Sequence, residues 1–213
     1  MLLEFIRGNT VLAPVPFVPE ISLYQAEEPI ALWEKTEESG SEQPPPFWAF
    51  AWAGGQALAR HVLDHPELVS GRSVLDLATG SGLVAVAAAQ AGAHPVTAND
   101  VDPYSLAAAE VNAEANHVAV RTVEADLLDT NDAYGVVLAG DVFYSREMAA
   151  RVLPFLRRAA GRGSLVLIGD PGRAYLPPSG LTKRATYDVP VPVSLESVPV
   201  RPTTVWQLIP ASA

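Results

Sequence analysis

The feature that most constrains this sequence is the alternation of strand-like and helical segments that follows Gly71. The strand-like runs are SVLDLAT, PVTAND, AVRTVEAD, YGVVLAGDV and SLVLIGDP. Three helical segments lie among them: GLVAVAAAQAGA, DPYSLAAAEVNAEAN and REMAARVLPFLRRAAGRG. Because parallel strands need long crossover connections, this order predicts βαβ units on a mostly parallel sheet with helices on both faces. The predicted fold class is therefore α/β, doubly wound.

Both ends of the chain depart from this alternation. Residues 1–46 are Pro-rich and acidic, and we interpret them as an N-terminal arm with one short strand, ISLYQA, and one or two helical turns. Residues 47–213 then form the main domain. Near its end, TKRATYDVP and TTVWQLIP read as two strands with no helix between them, which predicts an antiparallel β-hairpin at one sheet edge.

Composition narrows the possible compartments and partners. The 213 residues include no cysteine, which excludes disulfides and thiolate metal sites, and no apolar run is long enough to span a bilayer. His61 and His65 lack the glutamate of a zinc-protease motif, so we expect no metal. The net charge of −10 argues against a nucleic-acid partner and suits a basic, lysine-bearing one. We expect a soluble, cytoplasmic monomer that does not bind membranes.

Carboxylates recur where the predicted strands end. They are Asp76, Asp100, Asp126, Asp141 and Asp170. In parallel sheets, ligands bind beyond the carboxyl ends of the strands, so these side chains are expected to surround one site. Chance placement would scatter them, although one or two could serve only as helix N-caps.

The turn DLATGSG, which begins at Asp76, indicates what this site holds. It lacks the Gly-Lys-Ser/Thr of a phosphate loop, and a dinucleotide site has no need of an acid inside the strand. A carboxylate there suits a ligand with a cationic or amino group, as in S-adenosylmethionine. Gly80 and Gly82 would let the backbone approach this cofactor, Asp100 would accept from its ribose hydroxyls, and Asp126 from its adenine amino group. The alternative is a tight turn with no ligand.

These segments resemble a known family. VLDLATGSG, TANDVDP and VEADLLD are similar to the cofactor motifs of class I, seven-β-strand methyltransferases, which have a Rossmann-like sheet and a C-terminal antiparallel hairpin. The blocks PPPFWAFAWAGGQALARHVL, GDVFYSREMAARVLPFL and GDPGRAYLP narrow the resemblance to the electron transfer flavoprotein β-subunit lysine methyltransferases, which are family-16-type protein methyltransferases. The similarity runs from about Pro44 to Pro177, with Ala53 where that family often has proline.

The resemblance implies roles for further residues. Trp52 is expected to border the cofactor, or alternatively to form a hydrophobic plug with its aromatic neighbours. Asp141 and Tyr144 are the predicted catalytic residues, which would hold and orient the substrate's amino group. Their alternative roles are a helix N-cap for Asp141 and core packing for Tyr144. Arg173 lies in the loop expected to line the substrate entrance, or is a solvated loop residue.

The predicted function is S-adenosylmethionine-dependent methylation of a protein lysine, with the electron transfer flavoprotein β-subunit as the implied substrate. Three alternatives remain. The protein could methylate a small nicotinamide-like amine, bind the cofactor without catalysis, or be an NAD-binding oxidoreductase, against which Asp76 and Asp126 argue. A protein substrate needs an open slot, whereas a small acceptor needs a lid, and the arm could form one.

Overall fold

The computed structural model describes residues 1–37 and 44–210. The helices are α1 (Leu2–Asn9), α2 (Pro29–Glu37), α3 (Ala53–Asp64), α4 (Leu83–Gln90), α5 (Pro103–Ala115), α6 (Arg146–Gly161) and α7 (Val193–Glu196). The strands are β1 (Val11–Val15), β2 (Val18–Gln25), β3 (Val74–Leu77), β4 (Val96–Asp100), β5 (Arg121–Glu124), β6 (Val136–Gly140), β7 (Leu165–Asp170), β8 (Leu181–Pro190) and β9 (Val200–Leu208). Short 3₁₀ turns cover Phe47–Ala49 and Pro66–Leu68.

The central sheet has seven strands in the order β5-β4-β3-β6-β7-β9-β8. The strands from β5 to β7 in this order pair in parallel, whereas β9 is antiparallel to both β7 and β8. The predicted α/β fold with a mostly parallel sheet and a C-terminal hairpin is therefore confirmed. The prediction that no helix lies between the two hairpin strands was wrong, because the short helix α7 connects β8 to β9.

Apolar residues alternate across the sheet and bury both faces. In β6, Val136 and Leu138 pack with α3, α4 and α5, whereas Val137 and Ala139 pack with α6 on the other side. This alternation is what the pleat of a strand dictates. The predicted N-cap Asp102 accepts from the amide of Tyr104 at 2.9 Å and starts α5.

The described part of the predicted arm contains α1, the β1–β2 hairpin and α2, which is more structure than the one short strand and one or two helical turns expected from the sequence. Strand β2 is hydrogen-bonded to α5: Asn112 accepts from the amide of Tyr24 at 2.7 Å, and Asn116 accepts from that of Ser22 at 3.0 Å. Residues 38–43 of the arm and residues 211–213 of the domain lie outside the described residues. The boundary at residue 46 stays a prediction.

The sheet ends in an irregular edge strand. The register between β8 and β9 shifts between Lys183 and Ala185, which marks a β-bulge.

Within the described ranges, no helix is long and apolar enough to cross a membrane.

Candidate functional site

Parallel pairing brings the predicted carboxylates to one edge of the sheet. Asp76 lies inside β3, while Asp100 and Asp170 are the last residues of β4 and β7. Asp141 directly follows β6, and Asp126 lies two residues beyond β5. The strand order reverses between β3 and β6, where ligands of such sheets bind.

The buried Asp76 carboxylate holds the glycine turn together. Its Oδ2 accepts from the hydroxyl of Thr79 at 2.5 Å and from the amide of Ala85 in α4 at 3.0 Å. Burial raises the pKa of Asp76 to about 7, against the opposing effect of these hydrogen bonds. The structure thus gives Asp76 a role in shaping the turn, while its predicted contact with the cofactor stays a prediction.

The two glycines of the turn meet different requirements. Gly82 has a φ of +79°, and a Cβ there would lie 2.7 Å from the Cα of Ala109, so only glycine lets α4 and α5 come this close. Gly80 has a φ of +52°, but a Cβ there would meet nothing within 4 Å. The close packing of α4 and α5 therefore explains why residue 82 is glycine. The open space beside the turn lies at Gly80.

Asp100 borders this open space. Its Oδ2 accepts from the amide of Gly80 at 3.1 Å, and its Oδ1 accepts from the amides of Val101 and Asp102. Burial raises the pKa of Asp100 despite these hydrogen bonds. Asp126 is exposed and paired with Arg151 at 2.5 Å, and that hydrogen bond lowers its pKa. Both carboxylates lie at the predicted cofactor edge.

Asp141 is fixed at the start of α3 by a close glycine contact. A Cβ on Gly54 would lie 2.3 Å from the carbonyl oxygen of Gly169 and 2.5 Å from Oδ2 of Asp141. This approach lets the amide of Gly55 donate to the same Oδ2 at 3.0 Å. The N-cap residue Trp52 makes no side-chain cap, so Asp141 supplies the negative charge that a helix N-terminus favours. The predicted alternative as the N-cap of α6 is wrong, because Ser145 fills that role.

The other oxygen of Asp141 is paired with Arg173. Oδ1 accepts from Nη2 of Arg173 at 2.8 Å and from its Nε at 3.2 Å, and Nη2 also donates to the buried Glu196 at 2.8 Å. Arg201 is paired with the other carboxylate oxygen of Glu196, Oε2, at 3.2 Å. Burial raises the pKa of Asp141 to about 6, although the charge of Arg173 opposes the shift, and the charge of Asp170 adds to it. Only 12% of the Asp141 side chain is exposed.

Aromatic side chains lie beside this ion pair. The guanidinium carbon of Arg173 is 5.9 Å from the ring centroid of Trp52, whose indole donates to the carbonyl of Phe47 at 2.8 Å. The ring of Phe47 lies 6.0 Å from Trp52 and 6.1 Å from Tyr144. Phe47 is 48% exposed and Tyr144 is 55% exposed, so core packing does not describe Tyr144. Trp48 is buried, as expected of a hydrophobic plug.

Little in the sequence indicates the network around Asp141. The sequence does not decide between the two roles of Arg173, and no motif singles out Glu196 or Arg201. Asp170 was predicted, because it continues the pattern of an acid at each strand end. Its Oδ1 accepts from the amides of Gly172 and Arg173 at 2.7 Å. Within residues 1–37 and 44–210, no group of three or more His, Asp or Glu side chains is arranged to hold a metal ion.

Similar solved structures support the fold. The magnesium protoporphyrin IX methyltransferase from Synechocystis, solved with bound S-adenosylmethionine, superposes with a TM-score of 0.56 at 17% identity, over 74% of this chain and 80% of that chain. The ribosomal protein L11 methylase from Lactobacillus delbrueckii gives a TM-score of 0.55 at 20% identity, over 75% and 81% of the two chains. At these identities the likeness shows the methyltransferase fold alone.

Sequence comparisons reach further. The family model for ribosomal protein L11 methyltransferase matches residues 57–142. The electron transfer flavoprotein β-subunit lysine methyltransferase of Danio rerio is 36% identical over 212 residues, which cover 96% of this chain and 82% of that protein. Its Xenopus laevis counterpart is 35% identical, over 97% and 87%. The methyltransferase resemblance seen in the sequence is thereby confirmed, and the chain belongs to the electron transfer flavoprotein β-subunit lysine methyltransferase family.

Proposed function

We propose that this protein transfers a methyl group from S-adenosylmethionine to a lysine of the electron transfer flavoprotein β-subunit. The observation that carries the proposal is Asp141, a largely buried carboxylate at the carboxyl edge of the sheet beside partly exposed aromatic rings. Such a carboxylate can hold the ammonium group of a lysine. Membership of the family, and the names of the Danio rerio and Xenopus laevis relatives, supply the substrate class.

The residues at the glycine turn fit the cofactor. The open space at Gly80 is bordered by the Asp100 carboxylate, which can accept from ribose hydroxyls, and the exposed Asp126 can accept from an amino group. Asp76 holds the shape of the turn through its hydrogen bond to α4, and Gly82 does so through its close packing against α5. When bound, the cofactor supplies an activated methyl group on a sulfonium, so this chain needs no covalent intermediate of its own.

Around the substrate, the protein's task is to orient and desolvate an amine. Lysine has a reference pKa of about 10.4 and must lose a proton before its lone pair can attack. Asp141 can hold the ammonium in place, and Tyr144 together with Phe47 and Trp52 can enclose its aliphatic stem. Burial raises the pKa of Tyr144, so its phenol remains neutral at physiological pH.

The proposal extends to partners and compartment. The net charge of −10 supports a protein substrate with an exposed lysine over a nucleic acid. The lack of cysteine agrees with the reducing cytoplasm, and we take a monomer as the working state.

The test is transfer of radiolabelled methyl from S-adenosylmethionine to purified electron transfer flavoprotein. We expect label on the β-subunit, and a loss of at least about 100-fold in kcat/KM with Asp141→Asn, which keeps the shape but removes the charge. Asp141→Ala should lose at least as much. The matched control is Asp132→Asn, whose exposed side chain precedes β6 and therefore lies at the opposite end of that strand from Asp141.

The outcomes separate the alternatives. Label that disappears with Asp141→Asn while cofactor binding persists supports the proposal. Label only on a small amine such as nicotinamide would replace the substrate, and cofactor binding without transfer to any acceptor would indicate a non-catalytic protein. Equal activity of wild type and Asp141→Asn would remove Asp141 from the mechanism.

A further inference from the structure

The hydrogen bonds of Asp141 leave no free lone pair on its Oδ1 while Arg173 is in place. A carboxylate oxygen offers about two lone-pair positions. Oδ1 of Asp141 already accepts two N–H groups of Arg173, and Oδ2 faces α3 and accepts from Gly55. An incoming ammonium can therefore bind Oδ1 only after at least one of the Arg173 bonds has opened.

Arg173 fills a site that is suited to any cation. Its guanidinium combines the carboxylate of Asp141 with the face of Trp52, whose centroid is 5.9 Å away. A carboxylate and an aromatic face are also the two groups that stabilise an alkylammonium. Arg173 is 21% exposed, so it lies nearer to solvent than Asp141.

Arg173 also has a second carboxylate. Its Nη2 already donates to Glu196, which is only 4% exposed, and Arg201 holds Glu196 in position through its other carboxylate oxygen. Arg173 can therefore leave Asp141 without losing all of its charge pairing. Without Glu196, breaking the bonds to Asp141 would leave a largely buried guanidinium unpaired, which would be far more costly.

The charges of this cluster point the same way. Asp141, Asp170 and Glu196 contribute three carboxylates, whereas Arg173 and Arg201 contribute two cations. Oδ2 of Asp170 is buried and has no partner among the described residues. When all three carboxylates are ionised, the cluster carries one unmatched negative charge, and a substrate ammonium would balance it, because buried charges are ordinarily paired.

We propose that Arg173 is a displaceable counter-ion, which holds the place of the substrate ammonium on Asp141 and Trp52 and turns towards Glu196 when the lysine enters. This inference rests on the proposed function, because it takes a lysine as the entering group. Arg173 is thus a positioning residue. It keeps Asp141 charge-paired when no substrate is bound, and it sets the affinity that a substrate lysine needs in order to displace it.

The direct test uses n-butylammonium as a stand-in for the lysine side chain, with binding measured by calorimetry at pH 8. Arg173→Met, which is similar in length but uncharged, should bind n-butylammonium about 10-fold more tightly than wild type. Arg184→Met is the matched control, since it removes one exposed arginine of β8 and should leave this affinity unchanged. Equal affinities of wild type and Arg173→Met would overturn the inference.

Kinetics provide a second readout that a merely structural role would not give. With the flavoprotein β-subunit, Arg173→Met should lower KM at least threefold without raising kcat, whereas a structural or substrate-binding arginine would raise KM when removed. Arg173→Lys, which keeps one charge but loses the two-bond geometry, should lie between the two. A raised KM in both variants would overturn the inference.

A measurement on wild type guards against a variant that fails to fold. In ¹⁵N NMR spectra, the Nε–H signal of Arg173 should shift and exchange faster as n-butylammonium is added, because its bond to Asp141 opens. An unmoved signal at saturating amine would overturn the inference. If wild type shows this shift but transfers no methyl to the flavoprotein, the substrate assignment fails and the displaceable arginine stands.

Discussion

At the scale of single residues, the acids of this protein divide according to what surrounds them. Asp126 is exposed and paired with Arg151, which lowers its pKa, whereas burial raises the pKa of Asp76 to about 7 and that of Asp141 to about 6. Aspartates at corresponding strand ends thus form a surface ion pair, a buried support for the turn and a candidate binding group for the substrate's ammonium. Environment decides between these roles, and residue identity alone does not.

The raised pKa of Asp76 predicts a pH-dependent stability. A carboxyl with a folded pKa near 7 and an unfolded value of 3.8 binds more protons in the folded state between those pH values. The free energy of unfolding therefore falls as the pH rises from about 4 to 7, by at most about 4 kcal/mol from this residue. Asp76→Asn should flatten this decline, as measured by urea denaturation across that range.

Asparagine can keep both bonds of Asp76, because both donors reach the same oxygen, and an amide oxygen in that position can accept from Thr79 and from Ala85. Wild type and variant should therefore differ least near pH 4, where both side chains are neutral. Some slope should remain in the variant, since burial also raises the pKa of Asp100, Asp141 and Asp170. Parallel pH profiles for wild type and variant would show that Asp76 is not the source.

At the scale of elements, the decisive contact joins α3 to the ends of β6 and β7. Gly54 and Gly169 approach so closely that a Cβ on either would collide with the carbonyl oxygen of the other. The contact places the first turn of α3 over the carboxylate of Asp141. The geometry of the candidate site thus depends on two residues that carry no functional group.

Gly54→Ala should therefore damage both folding and activity. The new Cβ would lie 2.3 Å from a backbone oxygen, and such overpacking destabilises by about 1–3 kcal/mol or more. Gly55→Ala is the matched control, because its Cβ would meet only ordinary contacts at 3.9 Å and alanine favours the helix. Thermal unfolding of both variants decides the matter, and equal melting temperatures would contradict the described contact.

Much of this element arrangement could be predicted from the sequence. The five parallel strands, the start of α5 at Asp102 and the edge hairpin follow from local patterns of apolar and capping residues. Contacts such as Arg173 with Glu196 could not be predicted, because they join segments 23 residues apart through side chains with no local signal. Likewise, Gly54 reads as an ordinary helix glycine until β7 is placed against it.

At the scale of the whole molecule, Asn112 links the arm to the glycine turn. Its Oδ1 accepts from the amide of Tyr24 in β2, and its Nδ2 donates to the carbonyl of Ser81 at 2.8 Å. Asn116, which directly follows α5, accepts from the amide of Ser22 in the arm and donates to the carbonyl oxygens of Ser22 and Asn112, and none of these bonds reaches the glycine turn. One fully buried side chain thus joins the arm to the glycine turn.

Asn112→Leu should therefore weaken both arm packing and cofactor binding. Removing a buried amide leaves the Tyr24 amide and the Ser81 carbonyl unpaired, at about 1–3 kcal/mol each. Asn116→Leu should loosen the arm while leaving cofactor affinity near wild type. Hydrogen exchange of β2 and calorimetry with S-adenosylmethionine distinguish the two, and equal cofactor affinity in both variants would refute the link through Asn112.

The outer strands of the sheet have a consequence for handling the protein at high concentration. An exposed strand edge is a template for aggregation unless charge, irregularity or short length blocks it. Strand β8 combines the bulge between Lys183 and Ala185 with two adjacent cations, Lys183 and Arg184, and β5 at the opposite edge is only four residues long. Both borders of the sheet thus discourage intermolecular strand pairing, and substitutions that make β8 regular and apolar should lower the solubility of the purified protein.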